Sequence, residues 1–97
     1  MKPIKEMVVL VEPDCIACVR VLETATVLRQ KGIVARLLVL NRLYDSESCR
    51  KYNVVIYPAV FINGRLAFYG EFTMEDALRF VKHTQRLKGS QKWIHST

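Results

Sequence analysis

Two cysteines, Cys15 and Cys18, are the residues of this sequence whose types and spacing could do chemistry. Only Ile16 and Ala17 separate them, and they stand where an apolar run ends and a helical pattern begins. Two thiols at this spacing can close a small disulfide ring and reopen it. The first thiol would also feel the positive end of the helix dipole, which favours its thiolate. The pair therefore indicates reversible thiol–disulfide chemistry.

Zinc sites use the same spacing, so metal binding is the alternative interpretation of the pair. A closed zinc site needs four ligands, and the other soft candidates are Cys49, His83 and His95. None of these has a partner at ligand spacing, so we expect no metal in a single chain. A zinc ion or iron–sulfur cluster shared by two copies through Cys15 and Cys18 stays open. Cys49 is interpreted as a small hydrophobe rather than a third redox centre.

A strand–helix–strand unit must position the two cysteines. The Val-rich residues 6–12 predict a strand buried on both faces, as in a parallel sheet. Pro13 breaks this strand. From residue 16 to 31 apolar residues recur at helical spacing, and Gly32 provides a stop signal. Residues 33–40 predict a second buried strand, which completes a right-handed βαβ unit.

The next elements along the chain are a short helix and a hairpin. Asp45 or Ser46 would cap a short helix that ends at Tyr52. Residues 59–62 and 65–69 would form a β-hairpin, because the Asn-Gly pair between them tolerates the positive φ angles of a tight turn.

The last helix is predicted to begin at a capping box formed by Thr73 and Asp76. Its apolar face would consist of Ala77, Leu78, Phe80, Val81 and Leu87. We expect the domain to cover residues 1–88, with residues 89–97 as a flexible basic tail. The predicted order of elements is β-α-β-α-β-β-α, with the dithiol at the first strand-to-helix junction.

Length and composition limit the classes of protein to which this chain can belong. With 97 residues, 51% of them hydrophobic, it makes one domain with one core. Three cysteines are an odd number, which argues against a secreted disulfide framework. No segment approaches the roughly 20 apolar residues of a membrane span. The apolar stretch behind the N-terminus is too short for a signal peptide, so we expect the cytoplasm.

The net charge of +6 bears on the partners of the protein. The basic residues form no stripe interleaved with aromatic residues, so we expect no nucleic-acid partner. We expect no membrane partner either. Acidic protein partners fit the charge better.

Three motifs give the sequence its resemblance to a known family. They are Cys15-Ile16-Ala17-Cys18, Tyr57-Pro58-Ala59-Val60-Phe61, and Asn63-Gly64 with Gly70 after it. In this order, over about residues 5–87, the chain resembles the small thioredoxin- and glutaredoxin-like proteins. The resemblance implies an α/β, thioredoxin-like fold with a four-stranded mixed sheet and helices on both faces. It also implies that Pro58 follows a cis peptide bond and faces the dithiol.

The positions of the two thiols predict their roles. Cys15 would lie at the helix start, where backbone N–H groups are unpaired, and as a thiolate would attack a substrate disulfide. Cys18, one turn further on the apolar face, would then attack Cys15 and release the reduced partner. An extended substrate segment could pair with the backbone of Tyr57. The residues expected to contact the substrate are Ile16, Ala17, Tyr57, Pro58 and Gly70.

Several residues depart from the thioredoxin pattern. Thioredoxins usually carry Trp before the first cysteine and Gly-Pro between the two, whereas this sequence has Asp14 in front and Ile-Ala between. We interpret Asp14 as the N-terminal cap of the helix, although its carboxylate would oppose the thiolate of Cys15. The buried acid of thioredoxins would fall near Val9, and Glu12 is the nearest substitute.

The glutaredoxin pattern is also incomplete. That family holds glutathione with a tyrosine beside the second cysteine and a glycine pair followed by aspartate. Here Ala17 and Tyr69-Gly70-Glu71 take those places, so protein disulfides are the expected substrates.

The sequence therefore predicts a monomeric thiol–disulfide oxidoreductase that needs no cofactor and reduces protein disulfides. Its electrons would come from a thioredoxin-reductase-like protein or from a low-molecular-weight thiol. The alternative is a redox-inactive binding module of the same fold, or a metal-binding protein.

Overall fold

The computed structural model describes the backbone of residues 3–95 and the side chains of residues 3–86, and within them the elements follow the predicted order. They are β1 (Ile4–Val11), α1 (Ile16–Gln30), β2 (Val34–Asn41), α2 (Ser46–Arg50), β3 (Ala59–Ile62), β4 (Arg65–Tyr69) and α3 (Met74–His95).

The strands form one four-stranded mixed sheet in the order β2-β1-β3-β4. Strand β1 pairs in parallel with β2 and antiparallel with β3, and β3 pairs antiparallel with β4. Because β1 lies inside the sheet with both faces covered, its residues from Met7 to Val11 are all buried. This explains why the strand reads as a continuous apolar run rather than an alternating one.

Helices cover both faces of the sheet, as predicted. On one face, alternate residues of β1 pack in a cluster with apolar residues of α1 and α3; those of the helices are Val21, Ala25, Leu28, Ala77 and Val81. The stacked rings of Phe68 and Phe72, 5.0 Å apart, belong to the same side. On the other face, Val8 and Leu10 pack with Cys49 of α2. The thioredoxin-like fold class is therefore confirmed.

The hairpin forms at the predicted residues. Both turn residues adopt positive φ, 51° at Asn63 and 84° at Gly64, which is the backbone of a two-residue primed turn. The side-chain oxygen of Asn63 also accepts hydrogen bonds from the backbone N–H groups of Lys5 and Glu6, at 2.9 and 3.1 Å. The turn thus fastens the hairpin to the start of β1.

The capping box at the start of α3 is also present. The N–H of Asp76 donates to the hydroxyl of Thr73 at 3.1 Å, and the N–H of Thr73 donates to the carboxylate of Asp76 at 2.9 Å. Two backbone donors without a partner in the helix are satisfied reciprocally.

Some details of the sequence prediction are wrong. Helix α2 ends at Arg50 rather than at Tyr52. Asp45 is its N-terminal cap residue, as predicted, but its carboxylate accepts from the backbone N–H of Asn41 and makes no capping hydrogen bond to the helix. Leu78 is 37% exposed and does not belong to the buried face of α3. Packing buries the adjacent positions Ala77 and Val81 instead.

The predicted domain end at residue 88 and the predicted tail of residues 89–97 fall beyond the described side chains, as does Leu87, and stay predictions. Of the helices in residues 3–95, even the 22-residue α3 lacks the apolar stretch that a bilayer crossing requires.

Candidate active site

Cys15 and Cys18 are joined by a disulfide, with their Cα atoms 5.2 Å apart. The two sulfurs differ in environment. Cys15 is half-buried at the edge of the core, whereas Cys18 is 3% exposed on the buried face of α1 with Val21 and Ala25. This is the difference in burial expected of an attacking and a resolving thiol.

The N-terminal cap of α1 is Cys15. Its backbone is extended, with φ −122° and ψ 105°, and its sulfur accepts a hydrogen bond from the backbone N–H of Cys18 at 3.1 Å. The sulfur therefore lies at the end of the helix where N–H groups have no partner within the helix. The same geometry favours a negative charge on this sulfur after reduction.

The interpretation of Asp14 as the cap is wrong. Asp14 is exposed and has a φ of 55°, in the left-handed region that aspartate tolerates better than most residues. This conformation ends the turn after β1 and leaves the capping position to Cys15, which directly precedes the first helical residue.

The cis peptide bond between Tyr57 and Pro58 is present. The antiparallel pairing of Leu10 with Ala59 places Pro58 beside the end of β1, from which the chain continues to the dithiol. The backbone N–H of Gly70 donates to the carbonyl of Pro58 at 2.9 Å. Two of the residues predicted to contact substrate, Pro58 and Gly70, are thus brought together at the dithiol edge of the sheet.

Tyr57 contacts both sides of the core. It packs partly buried against the cluster that also contacts Cys15 and against the cluster around Cys49. The Arg42 guanidinium lies over its ring, 5.7 Å from the centroid, within the range of a cation–π interaction. Burial, the largest cause, raises the pKa of Tyr57, so its hydroxyl stays protonated.

Arg42 is a residue of this region that the sequence analysis missed. Its guanidinium forms a 3.1 Å ion pair with Glu12, and its backbone N–H donates to the carbonyl of Val11 at 2.8 Å. Glu12, considered above as a substitute for the buried acid of thioredoxins, is therefore held by a cation. Arg42 follows β2 as Glu12 follows β1, and the carboxyl ends of neighbouring parallel strands share an edge, which was the available signal.

The remaining predicted site residues lie around the disulfide. Ile16 is 77% exposed and Ala17 is half-buried. Glu71, which follows Gly70, forms an exposed ion pair with Arg20 of α1 at 3.7 Å. This pair links the segment after β4 to the helix that carries the dithiol.

Cys49 is buried on the α2 side of the sheet. Burial first, and then the Asp45 carboxylate, raise the pKa of its thiol, which keeps it protonated and unreactive. Within the side chains described, no three His, Cys, Asp or Glu residues are grouped to hold a metal ion. A metal shared between two copies requires only two ligands from each and is a separate hypothesis.

Comparison with known proteins agrees with this architecture. Residues 5–82 match the family model of the thioredoxin domain, a segment that runs from β1 into α3 and includes both cysteines and Pro58. No curated protein is similar enough in sequence to count as a match. A thioredoxin domain with a disulfide between Cys15 and Cys18 fits a redox role. Because the match covers most of the chain, the protein belongs to the thioredoxin domain family.

Proposed function

We propose that the protein is a thiol–disulfide oxidoreductase that reduces protein disulfides with Cys15 and Cys18. The observation that carries the proposal is the asymmetric pair itself. A half-buried sulfur at the cap of α1 accepts an N–H hydrogen bond, and the sulfur bonded to it is buried one turn further into the helix.

The reaction starts from the reduced dithiol. The Cys15 thiolate attacks one sulfur of the substrate disulfide, forms a mixed disulfide and expels the other substrate sulfur as a thiolate, which takes up a proton. Cys18 then loses its proton, attacks the sulfur of Cys15 and releases the second substrate thiol. Two electrons have passed to the substrate, and the Cys15–Cys18 disulfide is the oxidised product. A reductase or a low-molecular-weight thiol returns two electrons to close the cycle.

The proposed substrate contacts follow the edge of the sheet beyond β1. The substrate would be contacted by Ile16 and Ala17 from the helix that carries the dithiol, and by Tyr57, Pro58 and Gly70 from the side of β3 and β4. An extended substrate segment pairs with the backbone before Pro58 as an added strand. We propose that the protein acts as a monomer in the cytoplasm, where reducing conditions regenerate the dithiol.

A trapping experiment tests the proposal. In Cys18→Ser the mixed disulfide cannot be resolved, so acid-quenched cells should yield protein partners linked to Cys15, identified by mass spectrometry. Cys15→Ser should trap none, and Cys49→Ser, in a background that keeps both active-site cysteines, should reduce a peptide disulfide at the wild-type rate. An absence of adducts on Cys18→Ser, together with no turnover by the wild type, would refute the proposal in favour of a binding module. Glutathione as the sole adduct would refute the assignment of protein substrates.

A further inference from the structure

An open cavity of about 310 Å³ lies on the α2 side of Tyr57. Arg42, Ser46 and Arg50 contribute polar groups to its lining, Cys49 contributes a thiol, and Val54, Val55 and the Tyr57 ring contribute apolar surface. Its volume is at the lower end of the range for small-ligand sites, so it suits a side chain or a fragment of similar size.

The cavity adjoins the proposed substrate edge through two of its lining residues. Tyr57 directly precedes Pro58, and its side chain packs against the apolar clusters on both faces of the sheet. Arg42 is bound through its backbone to Val11, the last residue of β1, and only three residues separate Val11 from Cys15. A substrate segment that pairs with the backbone before Pro58 would therefore lie beside two residues that line the cavity, Tyr57 and Arg42.

The charges of the cavity are unbalanced. The Arg42 guanidinium is paired with Glu12 at 3.1 Å. Among the described side chains, no carboxylate lies within 4.0 Å of the Arg50 guanidinium. Two acids lie close to Arg50 in sequence, and neither lines the cavity: Asp45 accepts from the backbone N–H of Asn41, and Glu47 is exposed on α2.

The other polar groups of the cavity are neutral. Ser46 contributes a hydroxyl, and the Tyr57 hydroxyl stays protonated because burial raises its pKa. Among the described side chains, the cavity thus combines one guanidinium that has no carboxylate within 4.0 Å, two neutral hydroxyl groups and the protonated Cys49 thiol with apolar surface. A carboxylate on a short aliphatic stem matches this combination in charge, hydrogen bonding and size.

We propose that this cavity is a carboxylate-binding subsite for the disulfide substrate, in which Arg50 binds an Asp or Glu side chain close to the substrate cysteine. The inference rests on the proposed function and names its substrate class, protein disulfides flanked by acidic residues. The net charge of +6 also favours acidic substrates, because it attracts acidic segments from a distance.

Matched peptide disulfides test the subsite. Each peptide has blocked termini and one cysteine, with Glu or Gln placed two residues before or two residues after it, and is oxidised to the symmetric disulfide. Wild-type kcat/KM should be higher for a Glu peptide than for its Gln counterpart at one of the two positions. Arg50→Gln should lower the Glu value by about fivefold, the scale of one partly exposed ion pair, and leave the Gln value unchanged. Added salt should reduce the preference of the wild type.

Lys51→Gln is the control variant, because it removes the same charge from the neighbouring position, which does not line the cavity. It should keep the preference for Glu. The inference is overturned when the wild type shows no preference at either position, or when Arg50→Gln and Lys51→Gln change the preference equally. Turnover of the Gln peptides separates the two hypotheses: if it persists without a Glu preference, only the subsite fails, whereas no turnover of any peptide refutes the proposed function.

Discussion

Replacing Cys15 by Ser or by Ala removes the same thiol, yet the two variants should differ in stability. The Cys15 sulfur is the capping acceptor for the N–H of Cys18, at 3.1 Å, on a backbone that already has the extended angles of an N-terminal cap. Serine keeps an oxygen at this position and is among the preferred capping residues. Alanine leaves the N–H without a side-chain acceptor.

The expected difference in the free energy of unfolding is the contribution of one N-terminal capping interaction. Cys15→Ala should be less stable than Cys15→Ser by about 1 kcal/mol, within a range of roughly 0.5–2 kcal/mol. In a domain of this size that corresponds to a difference in Tm of about 4–8 °C for each kcal/mol. The disulfide, which closes a loop of only four residues, adds about 2 kcal/mol to the oxidised wild type alone by the chain-entropy relation. All proteins must therefore be compared in excess reductant.

Thermal and urea unfolding of the reduced proteins measure the difference, and neither variant should reduce a peptide disulfide. Thr73→Ser and Thr73→Ala provide a positive control, because the Thr73 hydroxyl caps α3 through the N–H of Asp76. If the Thr73 pair differs by about 1 kcal/mol and the Cys15 pair does not differ at all, the capping role of Cys15 is refuted.

Three further predictions concern stability and ionisation. Asn63→Gly should lower the free energy of unfolding by about 1–2 kcal/mol, because the side-chain oxygen accepts from two backbone N–H groups of β1. Asn63→Ala should be less stable than Asn63→Gly by about 1 kcal/mol, because the Cβ of alanine is strained at a φ of 51°. Equal urea midpoints for the two variants would contradict this account. Burial, followed by Asp45, raises the pKa of Cys49 above its ordinary 9.0, so the stability contributed by the protonated thiol should be lost as pH rises beyond 9.0. Cys49→Ala should show a shallower decline in urea titrations between about pH 8 and 10.5, and parallel declines would argue against the burial effect. Hydrogen bonds from Thr73 lower the pKa of Asp76 below its ordinary 3.8, so this contribution should be present above pH 3.8 and lost as pH falls through the lowered pKa. Thr73→Ala should raise the pKa of Asp76 in an NMR titration, and an unchanged pKa would show that the hydroxyl has no part in the shift.

Features whose physical cause lies in neighbouring residues could be predicted from the sequence. Asn63 and Gly64 adopt the positive φ angles that the hairpin prediction requires. Thr73 and Asp76 stand one helical turn apart, so their reciprocal hydrogen bonds follow from spacing alone. The Val-rich run of β1 is buried throughout because both faces of the sheet are covered.

Features that depend on backbone angles or on distant residues could not be predicted. Whether Asp14 or Cys15 caps α1 is decided by the left-handed φ of Asp14, which the residue type permits but does not require. Three residues from three different loops meet beside the site: Arg42 forms an ion pair with Glu12 and lies over the ring of Tyr57. Helical spacing alone cannot show which apolar residues of α3 meet the sheet.

The order of the strands has a consequence for synthesis on the ribosome. The β1–α1–β2 unit and the β3–β4 hairpin are each built from consecutive strands, and among the described pairings only that of β1 with β3 joins them. Met7 pairs with Ile62, so this contact must wait until the hairpin has left the exit tunnel. The dithiol belongs to the first unit and Pro58 and Gly70 to the second. The nascent chain therefore carries both sulfurs of the dithiol before it contains the segment proposed to contact the substrate. During that interval, any exchange reaction of the dithiol would take place without the substrate contacts proposed for Pro58 and Gly70.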